Sequence, residues 1–148
     1  RLGRLHKIFN ISNKRGLSNL ILNYDDDTKY ESYIQKTDVN GLFVIPRGIV
    51  PPNPAELLGS KKFDDILHDL KRIFDYIILD ATPINGLSDA LILTKNANEV
   101  VIVCKYGKTD LGDLEECKKA LLNADAKIAG VVINSMPKTK NKYGYYTE

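Results

Sequence analysis

Tyr76-Ile77-Ile78-Leu79-Asp80 is the stretch that decides the fold: a short apolar run that ends in a single carboxylate. An unbroken run of this length predicts a strand buried on both faces of a parallel sheet. Immediately before it, Phe63, Ile66, Leu67, Leu70, Ile73 and Phe74 recur at helical spacing, with Lys61, Lys62, Asp65, Asp69 and Lys71 on the opposite, solvated face. Gly59-Ser60 marks a break, and Asn53-Pro54-Ala55-Glu56 reads as a helix start. Asn53 can cap, Pro54 suits the first helical position, and Glu56 can reach back to the amide of the cap. Downstream the pattern alternates: a helix over 88–95, a strand over 99–104, a helix over 110–123 and a strand over 128–133. Strands alternating with helices need crossover connections, which makes the sheet parallel and the class α/β. Further upstream, 16–22 reads as a short helix and Leu42-Phe43-Val44-Ile45 as another buried strand, stopped by Pro46. Residues 1–136 form one domain on this reading, and 137–148 a flexible Tyr-rich tail.

Composition narrows the function. The 148 residues are 43% hydrophobic, and no apolar run approaches the ~20 residues that span a bilayer. With 21 basic against 19 acidic residues the net charge is +2, too balanced to argue for a nucleic-acid partner. Cys104 and Cys117 lack metal-ligand spacing, and a reduced, cytoplasmic compartment is the simplest expectation for them. The opening residues Arg1-Leu2-Gly3-Arg4 carry no initiator Met or signal-peptide pattern and read as the middle of a longer polypeptide.

In open α/β sheets, ligands gather at the carboxyl ends of strands. Asp80 stands at such an end, in the form of a Walker B acid that orients Mg²⁺, or a water on it, beside nucleotide phosphates. The competing reading is an acid that merely caps a turn, and both stay open on the residues alone. Asn134 closes the last strand, where a carboxamide could pair with an adenine edge or simply end the strand in a local turn. Tyr143, Tyr145 and Tyr146 crowd the tail; accessible phenols are phosphoryl acceptors, although a Tyr/Gly end can equally be disordered chain. No GxxxxGK[ST] phosphate loop is present. Without one, the chain by itself is expected to bind ATP too weakly to measure.

These segments, in this order, resemble the bacterial tyrosine autokinases of capsule and exopolysaccharide export, of the CapB, CpsD and Wzc type. The resemblance runs through His6-Lys7-Ile8-Phe9, Gly16-Leu17-Ser18-Asn19-Leu20 and the most specific block, Gly48-Ile49-Val50-Pro51-Pro52-Asn53-Pro54-Ala55-Glu56-Leu57-Leu58-Gly59-Ser60. It continues through Phe74–Asp80, Ser88-Asp89-Ala90, Gly130–Asn134 and the terminal tyrosines. It implies a P-loop NTPase-like three-layer α/β sandwich of the MinD/ParA type, incomplete at its N-terminus. The implied activity is ATP- and Mg²⁺-dependent protein-tyrosine kinase. Asp80 matches the Walker B acid, Asn134 falls where related ATPases contact adenine, and Tyr143, Tyr145 and Tyr146 match the acceptor cluster. The implied partners are a membrane adaptor or chain-length regulator, a cognate tyrosine phosphatase and further copies in a ring-like oligomer. The implied place is the inner face of the plasma membrane.

The sequence departs from the family in three ways. The Walker A loop and the strand after it are expected upstream of Arg1. Ala81-Thr82-Pro83 replaces the usual hydroxyl-Pro-Pro, with Thr82 a possible substitute for the lost hydroxyl, and Gly3-Arg4-Leu5 replaces an Arg-Pro pair. Two rival functions follow: a MinD/ParA-type ATPase, which the Tyr cluster and the Pro-Pro-Asn-Pro block oppose, and a catalytically inactive pseudokinase module.

Overall fold

A computed structural model describes residues 3–25, 27–84 and 89–137. The chain divides into two compact units, 1–97 and 98–148. The tail tyrosines Tyr143, Tyr145 and Tyr146 lie outside the described residues, as does Ser88 of the Ser88-Asp89-Ala90 stretch.

The first unit is built around helix α4 (Lys61–Leu70), preceded by α1 (Leu5–Ile8), α2 (Leu17–Asn23) and α3 (Pro54–Leu58), and followed by α5 (Asp89–Thr94). Phe63, Ile66, Leu67 and Leu70 of α4 are buried against Leu20 and Ile21 of α2, as their spacing predicts. Full burial of an aliphatic or aromatic side chain contributes about 1.5–3 kcal/mol, so these six residues are the main source of the unit's stability. Ser60 separates α3 from α4 by serving both ends: its Oγ donates to Leu57 O (2.7 Å) and accepts from the Phe63 amide (3.3 Å). At the start of α3 the expected capping box is absent. Asn53 instead donates through Nδ2 to Glu56 Oε2 (3.1 Å), so the two side chains satisfy each other and not the backbone.

Three sequence expectations are corrected here. Helix α4 stops at Leu70 and not at Phe74, because the last turn tightens: the Arg72 and Ile73 amides donate to Asp69 O and Leu70 O, three residues back. Ile73 is therefore exposed, while Phe74 turns against the Phe43 ring, with centroids 5.6 Å apart. Leu42–Ile45 is not a continuous buried strand. Only Phe43–Val44 (β2) is strand, paired antiparallel with Gln35–Lys36 (β1), and of the two only Val44 is buried.

The third correction concerns Tyr76–Asp80, which has no strand partner among the described residues. Ile77 and Leu79 pack on the α2–α4 core, while Tyr76 and Ile78 point away at 89% and 88% exposed. A strand is buried on both faces only when layers cover both, and among the described residues one layer is in place.

Asp69 is likewise not on a bare solvated face. Its Oδ2 accepts hydrogen bonds from Tyr30 Oη (2.6 Å) and Tyr24 Oη (3.2 Å), tying the chain after α2 to α4. The Tyr30 hydrogen bond, with help from Tyr24, holds the Asp69 carboxyl below its ordinary pKa, while burial pushes both phenols up. A carboxyl with a lowered folded pKa stabilises fully above its unfolded pKa and loses that contribution as pH falls through the folded one. Asp69→Ala is thus expected to lower the urea midpoint at neutral pH, with the gap to the wild type narrowing in acid below the ordinary carboxylate range. A gap that stays constant with pH would show that the charge contributes nothing.

The second unit is a β–α–β arrangement: β3 (Val100–Lys105), α6 (Leu111–Asn123) and β4 (Ile128–Asn134), with β3 and β4 parallel as expected. Asp110 caps α6 by accepting from the Asp113 amide (2.8 Å). Ile102 and Cys104 of β3 are buried, as are Leu121 on α6 and Ala126. Leu114 and Cys117 share the face of Leu121, while Leu111 is exposed in the first turn. Cys104 and Cys117 are free thiols, and burial raises the pKa of Cys117.

Candidate functional site

In the first unit the site forms where the extended segment 76–80 ends. Asp80 is exposed and takes part in no hydrogen bond or ion pair among the described residues. Two residues on, the Thr82 hydroxyl is buried with no hydrogen-bond partner. A buried orphan hydroxyl costs about 1–3 kcal/mol, so natural chains retain one where something else satisfies it. The exposed Asp80 carboxylate suits Mg²⁺, a hard ion bound through one or two carboxylates, water and phosphate oxygens. No group of three or more His, Cys, Asp or Glu side chains able to hold a metal occurs among the described residues.

Asp89 opens α5 and is 4% exposed. Its place in the Ser88-Asp89-Ala90 stretch is the one signal for it among the residues.

In the second unit the carboxyl edge of the parallel pair carries Asn134. Its register partner is Lys105, and paired residues of neighbouring strands share a face. That face also bears Val101, Val103 and Val132, all exposed. The Asn134 Oδ1 already accepts a bond from the Ser135 amide (2.6 Å), which has positive φ (60°). The carboxamide NH₂ and the second lone pair of Oδ1 stay available to a ligand, and the bond from Ser135 orients the group.

The blocks at 16–19 and 48–60, which carried the resemblance, meet in a backbone clasp. Leu17 and Ser18 amides donate to Pro46 O (2.8 Å) and Arg47 O (3.0 Å), and Ser18 Oγ adds a second bond to Arg47 O (3.0 Å). Asn19 Oδ1 accepts from the Gly16 and Ile49 amides, and Asn13 Oδ1 from the Gly48 amide (3.0 Å). The clasp fixes the turn that leads into Pro51–Pro54. Nothing in the spacing of Asn13 and Asn19 revealed these partners, because the bonds join residues about thirty positions apart.

The chain is 38% identical to CapB of Staphylococcus aureus over 141 residues, covering 95% of this chain and 60% of that one. The crystal structure of the chimerical protein CapA2B2 superposes with a TM-score of 0.86 at 34% identity, over 93% of this chain and 60% of its own. The kinase domain of Escherichia coli tyrosine kinase ETK superposes with a TM-score of 0.84 at 30% identity, over 98% and 57%. Sequence and fold alike are similar to those of bacterial tyrosine kinases. No protein-family model matches the chain. The chain spans about three-fifths of the length of these bacterial tyrosine-kinase relatives. Its α/β, P-loop NTPase-like class is that of the tyrosine-kinase domains it superposes on.

Proposed function

We propose that this chain is the C-terminal part of an ATP-dependent protein-tyrosine autokinase that regulates capsular or exopolysaccharide polymerisation and export. The observation that carries the reading is Asp80: a carboxylate at the tip of an extended apolar segment, free of structural bonds, with the Thr82 hydroxyl unsatisfied behind it. Likeness to a solved tyrosine-kinase domain over nearly the whole chain supports it.

The reaction would move the γ-phosphoryl of ATP to a tyrosine hydroxyl, with Tyr143, Tyr145 and Tyr146 as acceptors. Catalysis of this transfer is mostly positioning and charge neutralisation. Asp80 would hold Mg²⁺, directly or through water, and the ion would neutralise phosphate charge. Asn134 would offer its amide NH₂ to a ring nitrogen of adenine. The CapA2B2 chimera supports a membrane adaptor as partner and assembly of several copies. A ring-like oligomer, a cognate tyrosine phosphatase and a place at the inner face of the plasma membrane complete the proposal.

The test is direct. The complete polypeptide, incubated with Mg-ATP, is expected to gain phosphotyrosine on the tail, read by mass spectrometry. ATP hydrolysis without phosphotyrosine would replace the proposal with a MinD/ParA-type ATPase, and failure to bind ATP in calorimetry would leave a pseudokinase module.

A further inference from the structure

We propose that Tyr24 is a phosphoryl-acceptor site separate from the tail, latched onto Asp69, and that its modification releases it from helix α4. The geometry is a two-pronged latch: Tyr24 Oη and Tyr30 Oη both donate to the same oxygen, Asp69 Oδ2, at 3.2 and 2.6 Å. The two prongs are unequal. Tyr30 makes the short bond and is the anchor; Tyr24 makes the long one, directly after the end of α2, where the chain leaves regular structure. Tyr24 is thus the prong that opens at lower cost. Asp25, Asp26 and Asp27 follow it in sequence, and the Asp65 charge on α4 acts on it.

Phosphorylation cannot leave the latch shut. A phenol donates its proton to Asp69, whereas a phosphate ester has only acceptor oxygens to offer a carboxylate that is itself an acceptor. Two anions would then face each other where a hydrogen bond had been, beside Asp65. Arg72, which also acts on Asp69 and is exposed, offers the displaced phosphate a cation. The Tyr24 ring covers part of the Leu20–Ile21–Phe63 core, so its departure uncovers apolar surface. In the transfer the Oη–Pγ bond forms as the bond from Pγ to the β,γ-bridging oxygen breaks, giving ADP and phosphotyrosine, and the phenolic proton passes to water. The inference depends on the proposed function only for the source of the phosphoryl group, and the experiment supplies that source separately.

The full chain is incubated with Mg-ATP and a catalytic amount of an added active bacterial tyrosine kinase, and phosphotyrosine is mapped by mass spectrometry. Phosphate on Tyr24, and cleavage between Tyr24 and Tyr30 accelerated about tenfold in the modified chain, are expected. Asp69→Asn should speed modification of Tyr24 several-fold, and Tyr24→Phe should remove this site while sparing the tail. Phosphate confined to other tyrosines on the wild-type chain, or phosphate on Tyr24 with unchanged proteolysis, would overturn the proposal. Neither outcome depends on Asp69→Asn being folded, nor on whether the chain's own polypeptide is a kinase.

Discussion

Asp80→Asn in the complete polypeptide is expected to cut phosphotyrosine formation by about a hundredfold or more, with stability unchanged. Preorganised charge at a phosphoryl-transfer site typically contributes two to three orders of magnitude in rate. Asn keeps the size and polarity of the side chain but removes the negative charge that would hold the metal. The structure makes this substitution a clean one. Asp80 is exposed and bonded to nothing among the described residues, so its replacement should shift folding stability by no more than about 0.5 kcal/mol. A loss of activity then speaks of chemistry and not of unfolding. The measurement is the initial rate of phosphotyrosine formation beside a urea titration of both proteins. An unaltered rate would remove Asp80 from the mechanism; a lowered midpoint would mean that the carboxylate serves the fold. Thr82→Val is the companion change: it removes the orphan hydroxyl at constant shape, and if that hydroxyl only waits for a ligand, the substitution should raise stability while lowering activity.

How much of this was legible depended on whether the signal was local. The Phe63–Leu70 stripe has a period of its own, and the helix with its buried face follows from it. The parallel β3–β4 pair likewise follows from two apolar runs flanking a capped helix. Burial of Tyr76–Asp80 on both faces did not follow, because coverage is a property of neighbouring layers and not of the run itself. The hairpin of β1 and β2 was hidden for a related reason: Gln35–Lys36 carries no apolar signal, and only its pairing with Phe43–Val44 makes it strand. Asp69 misled in the opposite direction. Its place opposite the apolar stripe reads as solvated, yet two phenols from distant chain find it. At the site, Asp80 and Asn134 were named by strand position; Asn134 ends β4, whereas Asp80 ends an extended segment that pairs with no strand among the described residues. The orientation of the Asn134 carboxamide was not legible, since it turns on a single bond to the next residue.

The resemblance blocks also carry the second large effect, which a set of three alanines separates into its causes. Gly16 has extended backbone that any residue can adopt, but an added Cβ would fall on Pro46 O and Gly48 N, and within 2.7 Å of Arg47 C. All of these are backbone atoms of the clasp, and none can swing aside as a side chain would. Gly16→Ala therefore reads collision alone. Gly41 has φ +76° with open space around its Cβ, so Gly41→Ala reads backbone strain alone, about 1–2 kcal/mol. Gly48 combines the two, with φ +79° and a Cβ placed on Asn19 Oδ1 and 2.8 Å from Gly16 N. Overpacking costs about 1–3 kcal/mol, and a displaced Asn19 also gives up its bonds to the Gly16 and Ile49 amides. Gly48→Ala should thus lose about 3 kcal/mol or more, Gly16→Ala somewhat less, and Gly41→Ala least of the three. Against a typical domain stability of about 5–15 kcal/mol the first loss leaves a substantial unfolded population. Urea unfolding of the three variants, compared at constant slope, gives the order. Equal losses at Gly41 and Gly48 would mean that the clasp yields without cost, and that the turn before Pro51 owes its shape to something other than Gly16 and Asn19.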